Sequence, residues 1–527
     1  MNMKILDNKI IQFIFLLVLF LIFLRIDYRF DNTVNCCSDE YDYYSHAATI
    51  VFDFDLDYSN QNVRNFSYQK NNKITPIGFF GSGLLSSPFL LIGTLLSNIT
   101  NDDLTKILNF QILFYSLASV FYFFCSYFLI QNSLKILHIK FNKFFLLLIY
   151  SGSGITYFAF ERFGMTHVFE VFGLSLLINL VIRFYINLDE KFKIYSFLIP
   201  FVMFLCFITR MSNIYIFVIP YLIRNLLLDK KIILTVKLIY TKQFIISSVF
   251  SILIYFALST ALYGDLILNA QRIYGTNISA SDIYYSESNF LVLISSLLRT
   301  VYIVLFSKEF GIFWVSPILF IGCISALTNK KKLLSKTNIL LFLCFAQNIF
   351  IIHLWQALGS SYGFRYLYSL VPISVMVYYL NYESSKYYKF YLLFFSIFAN
   401  FSILFFETTE KTQLSTFDQI NSFGKQIRYV APDYIVGLFD SFIHLNSYLI
   451  IFTTSFFGVL IFKIIFLFID QNEFVIYLTN IGLPTNNQDF QNYLQELNEF
   501  SFYKLALILL LLSLASFCIV KSNEVKV

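Results

Sequence analysis

The run Ile10-Ile11-Gln12-Phe13-Ile14-Phe15-Leu16-Leu17-Val18-Leu19-Phe20-Leu21-Ile22-Phe23-Leu24 leads through Arg25-Ile26-Asp27 to Cys37-Ser38-Asp39-Glu40-Tyr41-Asp42-Tyr43-Tyr44. Lys4 and Lys9 precede the apolar run, as in a secretory leader, but no small-x-small cleavage site follows it. Cys36 lacks the small apolar context of a lipoprotein site. The segment therefore reads as an uncleaved first helix that starts in the cytoplasm. Soon after come Asp53-Phe54-Asp55-Leu56-Asp57. In an otherwise apolar chain, this much negative charge in one loop marks a candidate site. Carboxylates at a membrane surface can act as general bases, bind metal or receive a polar substrate.

Working outward, the 527 residues are 57% hydrophobic, 20% aromatic and only 13% charged, and the mean hydropathy is +0.68. Such a chain cannot stay in water as a globule. Apolar runs long enough to cross about 30 Å of hydrocarbon recur along it, so the fold class is all-α: a polytopic transmembrane helical bundle of about 11–13 spans. The net charge is +6, but the basic residues sit in short loops between helices, which speaks against nucleic acid as a partner. The seven cysteines fall mostly in apolar segments, where they behave as small hydrophobes. Cys36 and Cys37 are adjacent, which suits a disulfide poorly.

Basic clusters at Lys4/Lys9, Lys135/Lys140/Lys143, Arg183/Lys191/Lys193, Arg224/Lys230/Lys231/Lys237, Lys330/Lys331/Lys332/Lys336 and Lys386/Lys389 mark cytoplasmic loops by the positive-inside rule. The turns between them, 25–107, 160–167, 209–213, 264–310, 355–365 and 407–447, then face outside, and Asp265, Asp282, Glu287 and Glu309 lie there. This places a multi-pass protein in the plasma (inner) membrane. Residues 1–406 form one module; 407–527 form an outer loop plus C-terminal membrane segments. There the alternation conflicts with the charges. Tyr448–Ile469 looks like a span yet leads into acidic sequence, and Tyr503–Val520 ends in Lys521 and Lys526. Either 448–469 is re-entrant or interfacial, or the count is off by one.

Within the first outer loop, 25–107, Leu84–Leu96 is apolar enough to be read as a span. Counting it would invert every later basic loop, so a helix lying at the interface is expected. Tyr44, Ala47, Ala48 and Val51 share helical spacing just before it. The loop is thus expected to carry short interfacial helices over the bundle.

The polar candidates follow. Asp39 and Glu40 sit at the mouth of the first helix, where either could take a proton from an acceptor during attack, unless both are ordinary solvated acids. Asp53, Asp55 and Asp57 lack the Gly and the terminal Glu of a helix–loop–helix calcium site. They are the candidate ligands if a divalent metal is used, with capping or solvation as the plainer role. Glu161-Arg162 and Thr166-His167 mark an outer turn, where Glu161 and Arg162 simply pair in the plainer reading. Glu170 lies one turn deeper, where an acid is costly unless used or paired. Arg210 occupies another outer turn. Arg365 follows Gly359 and Gly363, and an Arg fork can clamp phosphate in two-point fashion; snorkelling is the alternative for both. Lys308-Glu309-Phe310-Gly311 is a weaker candidate of the same kind. No nucleotide loop, dinucleotide fingerprint, zinc spacing or Ser-His-Asp pattern is present.

Ser38-Asp39-Glu40…Tyr43-Tyr44, Asp53-Phe54-Asp55-Leu56-Asp57, Pro76-Ile77-Gly78…Pro88, Thr209-Arg210-Met211-Ser212-Asn213, Phe310-Gly311-Ile312-Phe313-Trp314-Val315-Ser316-Pro317 and Gly363-Phe364-Arg365-Tyr366…Pro372 occur in this order. Together they resemble the bacterial GT-C type membrane glycosyltransferases, which include protein O-mannosyltransferases and the lipid A aminoarabinose transferase. Ser38 stands where that pattern has Gly, and Thr75-Pro76 where it has His-Pro. The resemblance implies an inverting transferase that uses a polyprenyl-phosphate-linked sugar donor on the outer face of the membrane. Glycan, lipid or protein would be the acceptor, and membrane lipids the surroundings. It further implies that Asp39 or Glu40 is the base and that Arg365 holds the donor phosphate; Arg210, Glu161, His167, Tyr43 and Tyr44 are the remaining candidates for the substrate site. No cofactor is required by it, and a divalent metal is left open. The rivals are a transporter or flippase of lipid-linked sugar and a polysaccharide polymerase or ligase. Absence of an internal repeat and charges gathered at the outer rim favour an enzyme over a transporter, and the acidic first outer loop disfavours a polymerase or ligase.

Overall fold

The computed structural model describes residues 8–25, 38–61, 68–70, 73–104, 109–186, 192–232, 234–235, 239–268, 290–307, 311–328, 335–355, 362–406, 442, 448, 451–452, 455–480 and 501–522. Among them the fold is a helical bundle with one two-stranded hairpin, β1 (Tyr68–Lys70) and β2 (Lys73–Thr75), paired antiparallel. The helices are α1 (Lys9–Phe23), α2 (Ser38–Ala48), α3 (Phe80–Thr100), α4 (Phe110–Ile136), α5 (Lys143–Ser151), α6 (Ile155–Phe160), α7 (His167–Ile186), α8 (Phe192–Thr209), α9 (Ile219–Asp229) and α10 (Lys242–Tyr263). They continue as α11 (Phe290–Phe306), α12 (Ile312–Val315), α13 (Pro317–Thr328), α14 (Lys336–Trp355), α15 (Val371–Asn381), α16 (Lys386–Phe405), α17 (Phe456–Ile465), α18 (Gln471–Asn480) and α19 (Phe502–Lys521). Seven of them, α3, α4, α7, α10, α14, α16 and α19, are long and apolar enough to cross a membrane.

Local sequence sets the boundaries. The Asn109 side chain accepts from the Ile112 N–H and opens α4, and Thr241 opens α10 through the Phe244 N–H. Gly264, with φ of +67°, closes α10. Pro317 cannot continue the preceding turn and begins α13.

α4, α7 and α8 form the centre. α4 and α7 run parallel: Tyr122 packs on Phe169 and Phe172, and Asn179 donates to the Leu129 carbonyl and Ser133 Oγ further along. α8 returns antiparallel and brings Arg210 back beside Glu170 at the start of α7. These contacts define one end of the bundle, called here the site end.

Both ends of α3 belong to the site end. A Cβ on Gly81 would strike the Thr209 backbone at the close of α8, so only Gly permits this approach. At the other end, Asp102 accepts from the Phe110 N–H at the start of α4 (2.8 Å). Thus α3 meets the length criterion for a span while never reaching the far end of the bundle. The sequence expects Leu84–Leu96 to lie at the interface, and the segment forms part of a helix that is also long and apolar enough to cross a membrane.

The 448–469 stretch contributes α17. α17 starts where the Phe456 N–H donates to the Leu24 carbonyl (2.9 Å) and finishes where the Lys463 ammonium lies 5.2 Å from the Phe502 ring. Phe502 opens α19, and Lys504 binds Asp102 (2.7 Å), so both ends of α17 stay at the site end. α19 alone then crosses to the far end, where Lys143 Nζ caps the Val520 and Ser522 carbonyls. At ten residues α17 is by itself too short to cross about 30 Å of hydrocarbon.

Candidate functional site

α2 brings the acidic cluster to the site end. Its apolar face carries Tyr44, Ala47 and, in the π-turn Thr49–Asp53 that extends it, Val51; all pack with Leu90, Ile112, Tyr115 and Phe163. This seats α2 across the tops of α3 and α4, as the spacing of those residues predicts.

On the opposite side the two adjacent acids diverge. Glu40 is only 3% exposed and accepts from Arg162 Nε at 2.8 Å. The Asp39 side chain is 43% exposed and faces Arg365 Nη2 at 3.5 Å. Buried Glu40 is already neutralised, so Asp39 is the one carboxylate of the pair that an incoming molecule can reach. The sequence left Asp39 and Glu40 equivalent; packing separates them.

Arg162 pairs with Glu40 on α2, beyond the plainer reading of the Glu161-Arg162 dipeptide. Glu161 faces Arg25, with Nε to Oε1 at 3.9 Å and both side chains buried. Consecutive residues in a tight turn point in different directions, so each reaches a different helix. Arg162 is therefore a site residue that sequence reasoning missed, because its partner lies 122 positions away.

Below Asp39 lies a second buried network. Glu170 Oε1 accepts from Arg210 Nη1 (2.8 Å) and lies 3.1 Å from His167 Nδ1, while Oε2 accepts from Asn213 Nδ2 (2.8 Å). The buried Glu170 carboxylate thus has partners on both oxygens. The Arg210 guanidinium lies over the Tyr366 ring at 4.3 Å, and the Arg365 guanidinium is 5.7 Å from the same ring. The turn carrying Arg210 is held by Gln347 on α14, which donates to the Ser212 carbonyl and accepts from the Tyr215 N–H (2.8 Å).

The structure therefore gathers Asp39, Glu40, Arg210, Arg365, Glu161 and His167 at one end, with Tyr43 buried beside them. It does not bring all of them to an open surface. His167 is buried within the Glu170 network and against Phe158 (4.6 Å between centroids). Tyr44 faces away, edge-on to Tyr115 at 5.1 Å. Gly359 and Lys308-Glu309-Phe310 lie outside the described residues.

Asp53, Asp55 and Asp57 serve their own loop. Asp55 accepts from Thr49 Oγ1 and the Asp57 N–H, Asp57 from the Ser59 N–H, and Asp53 from Gln61 Nε2 (2.6 Å). Among the described residues, no group of three or more His, Cys, Asp and Glu is arranged to hold a metal.

A clasp joins this loop to α2. His46 is fully buried, with Nδ1 2.6 Å from the Tyr58 hydroxyl and Nε2 2.9 Å from the Gly78 carbonyl. A carbonyl can only accept, so Nε2 carries the proton and Nδ1 accepts from Tyr58. Burial lowers the His46 pKa from 6.5 to about 4, against a smaller opposing effect of the Gly78 bond. Between those values the unfolded chain binds the extra proton, so the stability contributed by neutral His46 is complete above pH 6.5 and declines towards pH 4. Thermal unfolding in detergent across this window is expected to show that decline, and His46→Gln is expected to flatten it.

The turn before Arg365 is fixed from behind. Gly363 has φ of +60°, and a Cβ there would strike the Tyr368 hydroxyl, which donates to the Tyr362 carbonyl (2.7 Å). Gly363→Ala is expected to cost at least ~1–2 kcal/mol from the backbone alone, with the clash added. A lowered unfolding temperature together with a weakened Arg365–Asp39 contact would register it.

No protein-family model matches the chain, and neither a curated protein nor a solved structure matches it.

Proposed function

We propose that this chain is a multi-pass membrane glycosyltransferase of the plasma (inner) membrane. It transfers a sugar from a polyprenyl-phosphate donor to a glycan, lipid or protein acceptor on the outer face. In this reading the site end faces outside and the N-terminus lies in the cytoplasm. On the same reading α1, α4, the α5–α6 pair, α7, α8, α9, α10, α13, α14, α15, α16 and α19 cross the membrane, α9 and α15 together with the turns Ile214–Phe217 and Arg365–Leu370 that precede them. The basic residues Lys140, Lys143 and Lys389 then fall at the cytoplasmic end.

The observation that carries the proposal is the exposed carboxylate of Asp39 set beside the Arg365 guanidinium, while Glu40 is consumed by Arg162. An inverting transfer needs both groups. The acceptor oxygen attacks the anomeric carbon and forms the new glycosidic bond. The bond from that carbon to the phosphate oxygen breaks, and its electron pair leaves with the lipid phosphate. The acceptor proton passes to Asp39. Arg365 offsets the charge gathering on the phosphate. Without donor, Arg365 faces Asp39; a bound phosphate takes over the guanidinium and leaves the carboxylate free to accept a proton.

The experiment is release of lipid phosphate from radiolabelled polyprenyl-phosphate sugars by purified protein, with an acceptor-containing membrane extract present. Transfer by the parent, lost in Asp39→Asn and Arg365→Ala, supports the proposal. If no donor turns over but labelled lipid or sugar crosses liposome membranes, the chain is a transporter.

A further inference from the structure

Arg210 and Arg365 both carry full positive charge within reach of one aromatic ring, yet their surroundings differ. Arg210 is buried, and Glu170 neutralises it at 2.8 Å, with His167 and Asn213 completing the shell around that carboxylate. Arg365 is partly open, at 18% side-chain exposure, and its recorded acidic contact is the looser one to Asp39 at 3.5 Å. A guanidinium already matched by a buried carboxylate gains little from a second anion. One matched by an exposed carboxylate at longer range can exchange it for phosphate.

Asp39 and Glu170 flank the two cations Arg365 and Arg210, and the Tyr366 ring adjoins both cations in the middle. Arg210 lies at 4.3 Å from that ring, within the range of a strong cation–π contact. Tyr366 is the residue next to Arg365 on the same helical turn, Arg365–Leu370. Fixing the ring fixes the backbone from which the Arg365 side chain departs. Gln347 in turn fixes the loop that delivers Arg210.

We infer that Glu170, Arg210 and Tyr366 are positioning residues that aim Arg365 at a lipid phosphate, and that Arg210 itself does not bind the substrate. This rests on the assignment of Arg365 as the phosphate-holding group in the proposed transfer. It differs from the expectation that Arg210 lines the substrate site.

Tyr366 offers the cleanest test, because its ring can be kept or removed without stranding a buried charge. The probe is polyprenyl monophosphate without sugar, binding to full-length protein in detergent micelles, followed by steady-state transfer where turnover is found. Tyr366→Leu is expected to weaken lipid-phosphate binding about tenfold and to raise the donor KM similarly, leaving the acceptor KM in place. Tyr366→Phe keeps the ring face and is expected to retain binding within about threefold. Equal losses in Leu and Phe variants, no loss in Leu, or a parallel rise in the acceptor KM would each overturn the inference. Absence of any Arg365-dependent binding of the lipid phosphate by the parent would overturn it as well. Binding that follows this pattern without sugar transfer would leave the inference standing and remove only the transferase reading.

Discussion

Asp39→Asn is expected to lower sugar transfer by about 10²–10⁴-fold, the usual contribution of a positioned general base, with the unfolding temperature close to that of the parent. Asp39 is exposed and its contact with Arg365 is loose, and such pairs add about 0–1 kcal/mol. Glu40→Gln is expected to behave in the opposite way. It leaves the Arg162 guanidinium buried without its carboxylate, so stability falls first and activity follows the loss of folded protein. Measuring transfer per folded molecule, with unfolding followed on the same preparations, separates the two. If Glu40→Gln folded normally and lost all transfer while Asp39→Asn retained it, the roles given to the two acids would be reversed.

The second large effect concerns stability. Arg210→Ala leaves Glu170 ionised and buried with only His167 and Asn213 as partners, and breaking one side of a buried pair costs ~3–5 kcal/mol. Glu170→Ala removes the carboxylate that faces the buried Arg210. Replacing both, as Arg210→Met with Glu170→Gln, removes the charges together and is expected to recover most of the loss. Thermal unfolding of the two single variants and the double variant forms a complete cycle. A single variant as stable as the parent would show that the pair is not the fixed element described here.

Much of the helical framework was legible in the sequence, because long apolar runs leave the backbone no alternative in hydrocarbon. Hydropathy alone leaves two places open, α3 and α17. α3 is as apolar as a span, and only the charge on the later loops argued that it stays at one end; packing of Gly81 on Thr209 and of Asp102 on Phe110 agrees. For α17 the sequence offered two options, and the structure adds that its ends contact Leu24 and Phe502. Fewer features of the site could be read. Asp39, Arg210 and Arg365 stood out because charges are rare in this chain. Arg162 did not, since a neighbour of opposite sign supplied a sufficient explanation. Tyr366 is one of 37 tyrosines, and nothing local distinguishes it. His46 gave no signal either, because its partners Tyr58 and Gly78 are brought together only by the folded loop. Pairings between distant positions are set by tertiary geometry, which spacing along the chain does not encode.

The attachment of the last helix has a consequence for how the protein is made. α19 is fastened by Lys504 to Asp102 and by its terminal carbonyls to Lys143, residues separated from it by some four hundred positions. α17 likewise meets the exit of α1 at Leu24, next to Arg25. A ribosome delivers α1 and α4 long before either partner exists. The early helices must wait with these faces uncovered, and the Arg25–Glu161 corner gains its final support only near the end of translation. Chains arrested before α17 would therefore carry every charged residue of the site and still lack the scaffold that sets them in place.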